Sequence, residues 1–489
     1  MRISTFFLIL IWILNYFHAV AQSPNQPWLI GTNDFPGVEG YGNYILRFQG
    51  DSVALESANL KMNFETTMAA VADSSGQLLF YTNGCYIATA DGDTMLLGES
   101  LNPGDIAEWV CPGSGYISPR GATILQVPGS EHLYYLIHMA VRYEENKRLE
   151  FGPLYYSAID MSLENGKGAV VAKNIPLLGG NLEPYSIVRH GNGRDWWILV
   201  AEYGTSRYHR LLLSPEGITV NGVQNIGPKL GCRHTGTTSF SPDGRRYGRF
   251  HDCRLAVFDF ERCTGLLSMP RDIYLPPKSF GGGGMAFSPD GDRLLINTQM
   301  AVMKADLTAP ALQLDTVVSW LKILGASLGH MQYTPDGRIF ISNMSRAQYF
   351  HVLENPNAPD TTIGFQFRGQ VLPVWSVRTL PNLPNFNLLD LSDSPCDTLG
   401  ITTTAVPALP GYVELSPNPA TDHIRVRYET DMPLTLSIYD ARGVLMQTKQ
   451  SETGDTQSIF EVKNWPRGMY AMVVTAKGYS SKTIRFVLH

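Results

Sequence analysis

The sequence predicts an all-β chain, a β-propeller followed by a smaller all-β unit, and three observations carry that expectation. Strand-turn-strand units recur throughout the body. Three of the turns, Ser241-Pro242-Asp243-Gly244, Ser288-Pro289-Asp290-Gly291 and Thr334-Pro335-Asp336-Gly337, start 47 and 46 residues apart, the spacing of four-stranded propeller blades. After Asp397 the pattern gives way to a spacer and then to fresh alternating strands. Composition agrees: of 489 residues 44% are hydrophobic and 17% charged, with 46 Gly and 31 Pro, enough apolar material for large cores and enough turn formers for many short strands. Lys and Arg number 38 against 44 Asp and Glu, a net charge of −6, which excludes a basic nucleic-acid binder held by phosphate attraction.

The elements follow in chain order. Arg2 precedes the apolar run Phe6 to Leu14, and Ala19-Val20-Ala21 offers small residues before Gln22. Residues 1–21 therefore read as a secretory signal peptide, too short to span a bilayer. No later segment is long and apolar enough for a membrane helix, so the mature chain is expected to be soluble.

In the body, residues 22–398, further turns lie at Asp73-Ser74-Ser75-Gly76, Pro128-Gly129-Ser130-Glu131 and Gly191-Asn192-Gly193-Arg194-Asp195. Strand-like runs such as Leu78-Leu79-Phe80-Tyr81, Leu133 to Ile137 and Trp196 to Val200 follow them. One blade can be read whole: Thr237 to Phe240, the turn at Ser241, Arg246 to Phe250, Leu255 to Phe260, and an outer strand after Thr264-Gly265. Six blades are visible this way. A seventh is expected to close the ring by pairing Asn43 to Gln49 with Thr362 to Phe367, which would hide the sheet edges. Residues 399–411, with the Thr402-Thr403-Thr404 run, read as a linker.

Residues 412–489 open with Ser416-Pro417-Asn418-Pro419-Ala420-Thr421-Asp422 and continue in alternating strands such as Ile424-Arg425-Val426-Arg427-Tyr428. With Leu436 to Gly443, Trp465-Pro466-Arg467-Gly468-Met469-Tyr470 and the closing Lys482 to Phe486, this segment resembles the C-terminal sorting domain (type A, Por-type) of proteins exported by the type IX secretion system of Bacteroidota. The resemblance implies an immunoglobulin-like sandwich, with Pro417, Asn418, Pro419, Ala420, Asp422, Gly443 and Gly468 as its motif residues. It further implies handling by the type IX machinery and its C-terminal signal peptidase, and delivery through the periplasm to the cell surface or medium of a Gram-negative bacterium. Family members commonly have Leu-Pro where this chain has Trp465-Pro466.

Phrases of the body, among them Ala72 to Gly84, Tyr156 to Met161, His190 to Trp197, Val257 to Phe260 and Leu383 to Phe386, resemble a propeller family found on exported proteins of the same bacteria. The resemblance implies a propeller, WD/YVTN-like, and the blade count favours seven blades over six or eight. These phrases are turn and core chemistry, so the resemblance transfers no catalytic residue.

Catalytic signatures are sparse. Pro112-Gly113-Ser114-Gly115-Tyr116 lacks the second glycine of a nucleophile elbow and any helical pattern behind it. Gly281 to Gly284 precedes a strand and so lets backbone pass near the channel; it does not open a phosphate-binding helix. Asp91-Gly92-Asp93 lacks the further ligands of a calcium loop. Asp105, Glu108, Glu183 and Glu202 are loop carboxylates that no pattern ranks.

Cysteine usage says more. There are six, at 85, 111, 232, 253, 263 and 396, an even number suited to an oxidising compartment. Cys232 and Cys253 lie symmetrically about the Pro242-Asp243 turn, as do His234 and His251, so the four side chains are expected on one face. A Cys232–Cys253 disulfide with two surface histidines is one reading, a zinc or copper site a second, and unpaired bystanders the third. No other cofactor is expected. Cys85 with Cys111, and Cys263 with Cys396, are further disulfide candidates. Trp109, Tyr116, Tyr203, Arg207, Tyr208 and Arg210 are candidate ligand contacts, since aromatic faces with arginines suit a sugar or peptide.

The function expected is a binding or adhesion module for a glycan or protein. The alternatives are a propeller-based hydrolase or polysaccharide lyase, and a structural partner of the bacterial surface or gliding machinery.

Overall fold

The computed structural model describes residues 26–489 apart from 51, 144–148, 232–235, 252, 276–282, 299–300, 320–327, 359–360, 393, 397–411, 431, 441–444 and 477–481. The signal peptide, the linker, Cys232, His234 and Gly443 thus lie outside the described residues. The chain divides into two compact units, Met1–Leu399 and Gly400–His489.

Turn chemistry builds the blades of the first unit. At the Ser241 turn the serine hydroxyl donates to Asp243 Oδ1 at 2.5 Å, and the same oxygen accepts the Arg245 N–H at 3.1 Å. Gly244, at φ +70°, closes the turn with its N–H on Ser241 O at 2.8 Å, a left-handed conformation that favours glycine. The turns at Ser288 and Thr334 repeat these bonds. Seven sheets result, a β-propeller of seven blades. Blades one and two have three strands each (Trp28–Thr32, Gly42–Gln49, Ser52–Ala58; Ala69–Ala72, Leu78–Thr82, Ile87–Thr89), and blades three to seven have four. Blade five runs Thr237–Phe240, Arg246–His251, Arg254–Glu261 and Leu266–Tyr274, within a residue of the sequence reading.

Six apolar clusters of the described residues lie between successive blades. One joins Phe340 and Phe350 of blade seven to Trp28 and Leu46 of blade one and Met68 and Tyr81 of blade two. Trp28 sits edge-on to Phe48 and Phe340, at 5.0 and 5.9 Å between ring centroids. Burying each large apolar side chain contributes about 1.5–3 kcal/mol, so the ring closes by side-chain packing.

Ring closure corrects one expectation. Gly42–Gln49 pairs on both sides within its own blade, and Phe365–Ser376 is the outer strand of blade seven. Gly42–Gln49 therefore has no free edge to offer Thr362 to Phe367, and the outer strand instead reaches blade one through the Trp375 N–H on Gly40 O at 2.8 Å. The hairpin register of blade five is a second correction: Thr237 faces Phe250 and Phe240 faces Tyr247, two residues away from the symmetry about Pro242-Asp243.

The second unit is a β-sandwich. A three-stranded sheet (Val413–Ser416, His423–Tyr428, Gln457–Glu461) and a four-stranded one (Leu445–Gln450, Thr435–Asp440, Gly468–Thr475, Lys482–Leu488) enclose a core that includes Ile424, Val426, Leu436, Ile438, Phe460 and Phe486. The inward alternation of Ile424, Val426 and Tyr428 is the period of two that identified the strand.

Candidate functional site

Beyond blade seven the chain threads the propeller. Thr379 Oγ1 donates to Phe64 O, just ahead of the inner strand of blade two. Asn382 then meets blades three and four: its carbonyl accepts from Thr123 Oγ1 at 2.9 Å, its Oδ1 from Arg120 Nη2 at 3.3 Å, and its Nδ2 donates to Tyr185 O at 3.2 Å. Asn385 Nδ2 donates to Pro242 O at 2.8 Å, past the far end of the inner strand of blade five. The segment therefore crosses the channel from one face to the other. Pro381 and Pro384 suit that path, because they bring no N–H that would need a partner.

On the turn face the segment is held firmly. Phe386 stacks edge-on to Trp196 at 5.6 Å and its carbonyl accepts from Arg189 Nη2 at 3.1 Å. Arg262 Nη2 donates to Leu389 O, and the Leu391 N–H to Gly191 O at 2.7 Å. Cys396 then bonds Cys263 of blade five. A second disulfide, Cys85–Cys111, ties blade two to the end of the short helix Asp105–Val110. Both pairs are ones the sequence proposed.

The threaded segment fills only part of the channel. Beside it a cavity of about 470 Å³ remains, bordered by Trp28, the inner strands of blades four to seven and residues 382–388, a size within the usual range for small-molecule sites of about 300–1,000 Å³. Its polar border includes Gln26, Ser186, Ser239, Ser241, Gln332, Asn382, Asn385 and Asn387. Trp28, Phe240, Phe287, Tyr333 and Phe386 add rings. Asp243 is its carboxylate and Arg120 its cation. Arg120 also borders a small space toward the other face, beside His330 and Tyr185, so it lies between the two halves of the channel. Burial pushes its guanidinium down to about 10, against a small upward pull from Tyr185, and leaves it a cation at neutral pH.

A second polar group is buried between blades four and five. Arg249, with no exposed side-chain surface, donates to Glu183 through Nε at 2.7 Å and Nη2 at 2.5 Å. His251 Nε2 lies 2.7 Å from the same carboxylate. Burial alone would raise the Glu183 carboxyl, but the His251 and Arg249 charges outweigh it and hold the group at about 2. Tyr208 Oη accepts from Arg249 Nη1 at 3.3 Å.

These placements separate the residues singled out from sequence. Tyr116 and Tyr208 are core side chains, 1% and 0% exposed; the Tyr116 hydroxyl accepts the Val141 N–H at 2.8 Å. Trp109 is exposed on the helix of blade two's extension. Arg207 pairs with Glu202 at 3.3 Å, Arg210 donates to Thr264 O at 2.8 Å, and Tyr203 packs its ring on His251. His251 Nε2 lies on Glu183 and Cys253 is disulfide-bonded, while Cys232 and His234 lie outside the described residues, among which no group of three metal-ligating side chains occurs. The channel residues Arg120, Gln332 and Asn382 escaped the sequence reading; the nearest signal was the Pro- and Asn-rich run Leu380 to Asn387.

In the sandwich the motif residues hold the chain end. Asn418 Oδ1 accepts the Val487 N–H at 3.0 Å, the Ala420 N–H donates to Val487 O at 2.8 Å, and the His489 N–H to Ala420 O at 2.9 Å. Asp422 O accepts the Val462 N–H at 2.9 Å. Gly468 takes φ +150°, and Tyr470 Oη donates to Pro466 O at 2.6 Å, bracing the Trp465-Pro466 turn. Residues 414–489 match the secretion system C-terminal sorting domain. The chain carries a type IX sorting domain. A protein with this sorting domain is exported to the cell surface or beyond, and no helix of the described residues is long and apolar enough to cross a membrane.

No curated protein matches the chain. Among solved structures, the body is similar to a candidate 6-phosphogluconolactonase of Bacteroides uniformis (13% identity, 72% of this chain, 97% of that one, TM-score 0.40). It is also similar to a gluconolactonase of Xanthomonas campestris (13%, 66%, 94%, 0.30) and to the Dos1 propeller (12%, 65%, 93%, 0.36). At these values the likenesses carry nothing about activity.

Proposed function

We propose that this exported propeller is a binding module that takes a glycan fragment into the channel cavity beside residues 382–388. The observation that carries the reading is the border of that cavity: hydroxyls, carboxamides and aromatic rings around a single carboxylate, Asp243. Such a border pairs with sugar hydroxyls and packs on sugar rings. Glycoside hydrolysis ordinarily recruits two carboxylates, so binding accounts for these groups better than turnover does. Propeller scaffolds host many activities, and the site decides among them.

The test is a glycan panel against the full chain without its leader, with binding and released product read together. Ser239 borders the cavity, and among the described residues its hydroxyl bonds only the neighbouring Phe240 O. Ser239→Trp should fill the space and cut glycan binding by on the order of tenfold or more while the thermal midpoint holds. Unchanged binding in that variant places the site elsewhere.

A further inference from the structure

Three arginines of the propeller are buried among the described residues: Arg262 donates to the carbonyls of Arg189, His190 and Leu389, outside the cavity border, and the other two are treated differently by the fold. Arg249 meets the Glu183 carboxylate through two nitrogens. Arg120 is 8% exposed, and its bonds go to neutral acceptors, Met331 O at 3.0 Å and Asn382 Oδ1 at 3.3 Å. Among the described residues no carboxylate pairs with it. A guanidinium held away from water without a counter-charge is costly, and buried charges are normally paired. Arg120 borders the cavity, takes the left-handed conformation at φ +53° and is followed by Gly121, where a Cβ would meet Ser118 Oγ at 2.0 Å. Arg120 borders the spaces on both sides of it, one lined by His330 and Tyr185 and the other by Gln332 and Asn382.

A second unpartnered group borders the same space. Gln332 is 8% exposed; its Nε2 donates to Tyr333 O at 3.1 Å, and its Oε1 has no partner among the described residues. A buried acceptor of this kind calls for a ligand donor.

We infer that the channel ligand is a sugar acid, its carboxylate held by Arg120 and a hydroxyl donating to Gln332 Oε1. The inference rests on the binding-module reading and adds the charge of the ligand. A guanidinium forms charge-assisted, two-pronged bonds to a carboxylate that a neutral sugar cannot form.

The experiment needs no protein variant at first. D-glucuronate, its methyl ester and D-glucose are titrated calorimetrically into the full chain without its leader. Glucuronate should bind on the order of tenfold or more tightly than the ester or glucose, the worth of a charged hydrogen bond. Arg120→Gln should erase that preference, Arg120→Lys should keep part of it, and Gln332→Leu should weaken all three sugars. Equal binding of the three, or a preference that survives Arg120→Gln, overturns the inference. If that equal binding is still lost in Ser239→Trp, the binding-module reading stands. Absence of glucuronate binding also overturns the inference.

Discussion

Inside the propeller, His138, Glu183, Arg249 and His351 are at most 1% exposed and hydrogen-bonded, whereas the sorting domain, among its described residues, buries aliphatic and aromatic side chains with Ser451, the hydroxyls of Tyr428 and Tyr470 and Arg425 Nε as polar groups. The sorting domain's two histidines, 423 and 489, are both exposed. An address that must work behind different cargoes needs only a stable core and a recognisable surface, which apolar alternation and short motifs supply. A polar interior is costly to build and specific to one arrangement, so the individuality of this protein lies in the channel and the blade interfaces.

The sharpest way to break that comparison is acid. Burial lowers His138 and His330 to about 3 and His351 to about 4, with nearby Arg120 and Arg378 adding to the effect on His330 and Arg368 to that on His351. Each is neutral when folded and free to protonate when unfolded, near pH ~6.5. Their contribution is complete above that value and lost as pH falls toward 3–4. Glu183, held at about 2, adds a loss of the same sign below the ordinary carboxyl range. Hydrogen exchange across the full chain should therefore show propeller peptides losing protection from about pH 6 downward while sorting-domain peptides hold. Flat propeller protection between pH 7 and 5 would remove the distinction.

Next in size is the ion pair itself. Glu183→Gln leaves Arg249 without its counter-charge and should cost about 3–5 kcal/mol in urea unfolding. The double change Glu183→Leu, Arg249→Met should recover most of that, since it removes both charges. A loss below about 1 kcal/mol in the single variant would mean that solvent reaches the pair.

What was legible in the sequence follows the range of the interactions. The turns at Ser241, Ser288 and Thr334 form from residues within five positions, and blade five was readable to within a residue. The sorting motif was legible as a run of residue types, although its bonds are long-range: Asn418 meets Val487 across 69 positions. Ring closure was misread: packing among Trp28, Phe340 and Phe350 closes it, and no alternation announces that. Tyr116 and Tyr208 looked like ligand contacts because burial of an aromatic depends on the neighbouring blade. The Arg120–Asn382 bond joins residues 262 positions apart, and nothing local to either marks a threaded channel.

The smallest expected effect sharpens the comparison from the covalent side. The sorting domain has no cysteine, so a reductant should weaken the propeller alone, and the two described disulfides should contribute unequally. Cys263–Cys396 closes a span of 133 residues and Cys85–Cys111 one of 26. Chain entropy then makes the longer link worth more by (3/2)RT ln(133/26), about 1.4 kcal/mol. Paired Cys→Ala variants of each bridge, compared by urea midpoint, measure that difference. The long link also pins residues 379–391 in the channel, so its removal should raise hydrogen exchange there before it does so in the blades. If the two variants lose equally and exchange in 379–391 stays slow, the hydrogen bonds of Asn382, Asn385 and Leu391 hold the segment without the disulfide.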